Sequence, residues 1–211
     1  MSTKQAVKTI FSTVFGLLAS GTAMAHTGVD GGSHHGAFLS GLLHPLTGTD
    51  HLVAMLAVGM WGALAFRPQN PEQVRQRVWQ APLTFITLLV VGALAGFAGF
   101  QPPGVEPMIA ASLLALGLLI ALSRGLAVVS MVTLVGLFAF FHGVAHGAEL
   151  AEGQRWAALL GMVLTTATLH ISGIGLGHAL LQLRAKRRTV MQQAVGTGVA
   201  AMGVYALMHA F

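Results

Sequence analysis

The chain has 211 residues, of which 55% are apolar and only 8% charged, and its mean hydropathy is +0.74. Soluble domains carry roughly 25% charged residues, so a soluble enzyme, a nucleic-acid binder and a disordered tail are all excluded. Cysteine is absent, which removes disulfides, thiol nucleophiles and thiolate metal sites and leaves His, Asp, Glu, Met and backbone oxygen as metal donors.

The first segment, residues 1–25, has a basic start (Lys4, Lys8), a short apolar run (Ile10 to Ala19) and the small-x-small pattern Ala23-Met24-Ala25. This predicts a cleaved signal peptide and a mature chain of residues 26–211 that begins at His26. The apolar run is shorter than the ~20 residues that a membrane span needs, so a first transmembrane helix is the weaker reading. A polar stretch to His35 follows, then an apolar half-segment, Ala37 to Leu43, interrupted by Pro45 and Gly48. Longer apolar runs occupy 51–66, 79–100, 108–122, 126–148, 156–183 and 190–210. The fold class expected is all-α: a polytopic membrane protein with a bundle of six transmembrane helices and a broken, re-entrant segment before the first. Trp61, Trp79 and Trp156 lie near run ends, where aromatic side chains favour the membrane interface. Gly92, Gly96 and Gly99, and Gly173 with Gly177, suit close helix packing. No inverted repeat is visible, because the polar motif opens the first span but closes the fourth.

The net charge of +5 resolves into a topology signal. Arg67, Arg75, Arg77, Arg124, Arg184, Lys186, Arg187 and Arg188 fall in loops on one side, whereas Arg155 is the single basic residue in loops on the other. Basic loops face the cytoplasm, so both ends of the mature chain are expected in the periplasm of a bacterial inner-membrane protein.

Ten His among six acidic residues is the anomaly in so apolar a chain. One group is His44-Pro45-Leu46-Thr47-Gly48-Thr49-Asp50-His51. Asp is a favoured helix N-cap, which accounts for Asp50 but not for two His flanking a Pro/Gly break at membrane depth, where ionisable groups are costly and usually functional. Met55, one turn after His51, reads as packing first and as a soft donor second. The other group is His142-Gly143-Val144-Ala145-His146-Gly147-Ala148-Glu149. Its i, i+4, i+7 spacing puts two imidazoles and a carboxylate on one helix face. Two His at that spacing can reach one metal ion, but the general-base Glu of the zincin motif is replaced by Gly143. His170 lies deep in the fifth span and is a further candidate. His178 and His209 read as structural. At the mature amino end, the α-amine and imidazole of His26 can chelate one ion, with His34 and His35 close behind. These groups form a ladder from outside to inside.

The strings HPLTGTDHLVAMLAVGMW at residues 44–61 and FHGVAHGAE at residues 141–149 closely resemble the HupE/UreJ family of nickel/cobalt permeases, matching its pattern HPxxGxDHxxAMxxVGxW in full. The resemblance implies that His44, Asp50, His51, His142, His146 and Glu149 handle metal, while His170 and His26 rest on the physical argument alone. The expected function is a secondary transporter of Ni²⁺, or Co²⁺, and not an enzyme. No prosthetic group is expected, and no P-loop is present. Expected partners are the divalent ion as substrate and the lipid bilayer, with no nucleic acid, with a homo-oligomer left open, and with a functional link to hydrogenase or urease maturation. The alternatives are an intramembrane metal-dependent hydrolase and a metal-binding accessory subunit.

Overall fold

The computed structural model describes residues 34–65, 77–123, 125–150 and 153–210. The expected signal segment 1–25, His26 and Arg67, Arg75 and Arg124 lie outside them. The described residues form seven α-helices: α1 His34–Thr47, α2 Thr49–Ala65, α3 Gln80–Phe97, α4 Val105–Ala121, α5 Val128–Glu149, α6 Arg155–Leu181 and α7 Ala185–His209. By length and composition α3, α5 and α6 can each cross a membrane, and α2 and α4 are apolar helices of 17 residues. The chain is an all-α, multi-pass membrane protein. Helices suit that solvent because they satisfy their own backbone polar groups where lipid offers no partner. Leu83 on α3, Leu137 on α5 and Leu160, Leu164 and Ile171 on α6 point outward, as a lipid-facing surface allows.

Lipid tails are as apolar as leucine, so helices in a bilayer associate by close packing instead of hydrophobic exclusion. Glycine supplies the closeness here. A Cβ on Gly92 or Gly143 would fall on the carbonyl of Phe140 or Leu89 respectively, locking α3 against α5. Gly59 and Gly173 do the same between α2 and α6, Gly117 and Gly196 between α4 and α7, and Gly41 and Gly161 between α1 and α6. Gly99 departs from the packing expectation. It takes a φ of +85° with no neighbour near its Cβ position, so it serves the turn that ends α3. Most of α2 from Val53 to Leu64 is enclosed by its neighbours, and Trp61 is only 1% exposed, so its ring packs inside the bundle. Trp156 is well exposed and stacks edge-on to Phe97.

The break expected at Pro45 and Gly48 is narrower than the sequence suggests. α1 continues through Pro45 to Thr47, because proline removes only one bond of a turn that is already ending. The Thr47 hydroxyl donates to the His44 carbonyl at 2.9 Å, and Gly48 alone interrupts the helix before its own carbonyl accepts from the Leu52 amide at 2.9 Å. Phe38 and Leu42 lie against Gly161, Leu56 against Gly173 and Ala63 against Gly177. Chain numbers rise together on both sides, so α1 and α2 follow α6 in one direction. Within the described residues the segment is the first part of a helix interrupted at Gly48.

Candidate metal site

The two sequence motifs meet in space. α1 ends with His44, α2 begins with Asp50 and His51, and α5 ends with His142, His146 and Glu149. The ring centroids of His44 and His146 are 4.6 Å apart, those of His51 and His146 4.6 Å, those of His51 and His142 5.3 Å, and those of His44 and His51 6.0 Å. Four imidazoles thus share one small volume in the seam between α1–α2–α6 and the α3–α5 pair.

Each ring is aimed by a local contact. The ring of His142 donates from Nδ1 to the Phe138 carbonyl, one turn back on α5, at 2.9 Å. The ring of His51 donates from Nδ1 to Asp50 Oδ1 at 3.0 Å. An acceptor at Nδ1 fixes the tautomer and leaves Nε2 with a free lone pair, the arrangement of a carboxylate or carbonyl behind a metal-binding histidine. Both Nε2 atoms are buried without a hydrogen-bond partner, as is Nδ1 of His146, from which Glu149 Oε2 stands 4.0 Å away. A buried, unpaired nitrogen costs ~1–3 kcal/mol, and three such atoms in neighbouring rings suit a cation better than they suit packing.

The donors are graded in exposure. Glu149 is half exposed, with Oε2 at 4.0 Å from His146 Nδ1, while the side chain of His146 is 3% exposed and His142 is wholly buried. One ligand atom each from His44, His146 and Glu149 lie within 4.8 Å of one another. Neutral imidazole with carboxylate is a donor set for Ni²⁺, Co²⁺ or Zn²⁺. Asp50 lies inside the first turn of α2 and not at its cap, because Gly48 supplies the preceding carbonyl. Its carboxylate positions His51. Gly48 leaves room beside that pair: a Cβ there would come to 3.0 Å from His51 Nδ1 and 3.1 Å from Asp50 Oδ1 and push against both side chains.

Other candidates separate from this cluster. Met55 packs in the core, and only its carbonyl is used, as acceptor for His170 Nδ1 at 2.8 Å. His178 is exposed in the last turn of α6, and His209 donates to the Tyr205 carbonyl at 2.8 Å on α7. His26 lies outside the described residues. Sequence reasoning missed Phe85, whose buried ring lies 5.5 Å from that of His142 and 5.2 Å from that of His170. A phenylalanine in an apolar run carries no signal of such a place.

A profile of the HupE / UreJ protein family matches residues 14–206. Protein HupE of Rhizobium leguminosarum bv. viciae is 33% identical over 200 residues, covering 94% of this chain and 97% of that protein. No solved structure matches the chain.

Proposed function

The chain belongs to the HupE/UreJ family, and from that premise we propose that it is a permease that carries Ni²⁺, or Co²⁺, across the bacterial inner membrane. The observation that carries this reading is the convergence of four imidazoles from three helices, three of them with a buried nitrogen that has no hydrogen-bond partner, and a half-exposed carboxylate beside them. A permeant ion must leave as well as bind, so moderate, successive donors serve transport better than a closed cage. Here the donors descend from Glu149 through His146 and His44 to His51 and His142. In this topology α2 to α7 form the six spans, the Glu149 end faces the periplasm, and Arg77, Arg184, Lys186, Arg187 and Arg188 face the cytoplasm. The delivered metal would serve nickel enzymes such as hydrogenase or urease.

The test is uptake of radiolabelled Ni²⁺ and Co²⁺ by the purified chain in proteoliposomes. Saturable accumulation supports a permease. Binding without accumulation would reassign the chain as an accessory subunit, and metal-dependent hydrolysis of a peptide or ester without transport would reassign it as an enzyme.

Two smaller effects follow. Asp50→Asn keeps the shape but weakens the acceptor behind His51, so Ni²⁺ affinity should fall roughly 10-fold, at the lower end for a lost outer-shell partner. Isothermal titration measures it, and unchanged affinity would detach Asp50 from the site. Amino-terminal sequencing of protein extracted from membranes should begin at His26, as the Ala23-x-Ala25 pattern requires. A chain that still begins at Met1 would contradict the signal peptide.

A further inference from the structure

One more buried histidine lies beneath the four imidazoles. His170, on α6, is 1% exposed. Its Nδ1 donates to the Met55 carbonyl on α2, which fixes the tautomer and leaves Nε2 as a lone-pair donor, buried without a partner. Met55 follows His51 by one helical turn, so His170 is about one turn deeper than the cluster. Measured along α6 it stands ~22 Å from Arg155, at ~1.5 Å per residue.

The Phe85 ring links the two levels. It is buried and makes edge-type contacts with both His142 and His170, at the distances given above. His142 is the most deeply buried ring of the cluster, and its unpaired nitrogen is also Nε2. On α6, one turn before His170 and on the same helix face, the Thr166 hydroxyl is fully buried and has no partner either. Its neighbour Thr165 differs: its hydroxyl donates to the Leu42 carbonyl at 2.6 Å and is committed to holding α1. Packing alone would select apolar side chains at Thr166 and would not leave His170 Nε2 unpaired, because a buried polar atom without a partner costs free energy.

We propose that His170 is a second, inner station for the divalent transition-metal ion, its Nε2 receiving the ion from His142 past the edge of Phe85, with the Thr166 hydroxyl one turn away as a weaker oxygen donor. The step exchanges one neutral nitrogen donor for another and involves no redox change. It rests on the permease reading above and extends the path from the four-imidazole site into the middle of the bundle.

The test compares His170→Asn with the unaltered full-length chain. The Asn amide can donate to the Met55 carbonyl in place of Nδ1–H but supplies nothing at the position of Nε2. Two quantities are measured: equilibrium binding of Ni²⁺ in detergent, and the rate of Ni²⁺ uptake into proteoliposomes. Binding should stay within about 2-fold, because the upper donors are intact, while uptake should fall about 10-fold or more, as for loss of a metal-site partner. Thr166→Val should give a smaller fall in uptake, again with binding retained. Unchanged uptake by His170→Asn would reduce the ring to a tether between α6 and α2 and overturn the proposal. Parallel loss of binding and uptake would make His170 part of the upper site, and also overturn it. Absence of Ni²⁺ uptake by the unaltered chain would sink the permease reading itself, an outcome distinct from both.

Discussion

Replacing His146 by alanine should lower Ni²⁺ uptake at limiting external metal by roughly 100-fold, the upper end of what loss of a metal-site partner costs. His146 is the hub of the cluster. Its ring contacts those of His44 and His51, each at a 4.6 Å centroid distance, and its Nδ1 faces the Glu149 carboxylate at 4.0 Å. No other imidazole touches both α1 and α2 from α5 together with that carboxylate. His209→Ala is the matched control: the ring is exposed on α7 and its Nδ1 is already given to Tyr205, so uptake should be unchanged. His26→Ala should matter only at the lowest metal concentrations, the effect expected of a chelating amino end. Membrane levels of each variant are measured alongside uptake. Well-expressed His146→Ala protein with normal uptake would remove the cluster from the transport path.

The second large effect is on assembly. Gly143→Ala should destabilise the bundle by about 1–3 kcal/mol, the usual cost of overpacking. The new methyl group would meet the Leu89 carbonyl and the Ala93 amide, which are backbone atoms and cannot swing aside. α3 and α5 would have to separate, and His142 precedes Gly143 directly, so Ni²⁺ affinity should fall with stability. Gly175→Ala and Gly198→Ala provide the contrast. Nothing lies near either Cβ position, and alanine is the better helix former by roughly 1 kcal/mol. Those two variants should match or exceed the unaltered chain in thermal unfolding followed in detergent. Equal loss of stability at Gly143 and Gly175 would refute the backbone-contact account.

Much of this was legible in the residues because local patterns have local causes. Apolar runs of span length, the absence of cysteine and the one-sided basic loops specify a helical membrane protein, since hydropathy and loop charge act without knowledge of neighbours. The spacing of His142, His146 and Glu149 specifies one face, because helical periodicity is a property of the chain. The glycines at 92, 96, 173 and 177 announce close packing, though Gly99 shows that the residue alone does not distinguish an interface from a turn. The extent of the break near Pro45 was overread, because a proline in a final turn removes one bond and leaves the rest of the turn intact.

Which faces meet was decided only by the tertiary structure. Nothing between His51 and His142 in the sequence says that α2 and α5 present their rings to each other. That depends on glycine contacts elsewhere, between α3 and α5 and between α2 and α6, which set how the two halves of the bundle dock. The roles of Asp50 behind His51, of the Phe138 and Met55 carbonyls behind His142 and His170, and of Phe85 between two histidines were likewise invisible. A backbone carbonyl is present at every residue and a phenylalanine is ordinary in an apolar helix, so neither acquires meaning until packing brings a particular imidazole against it.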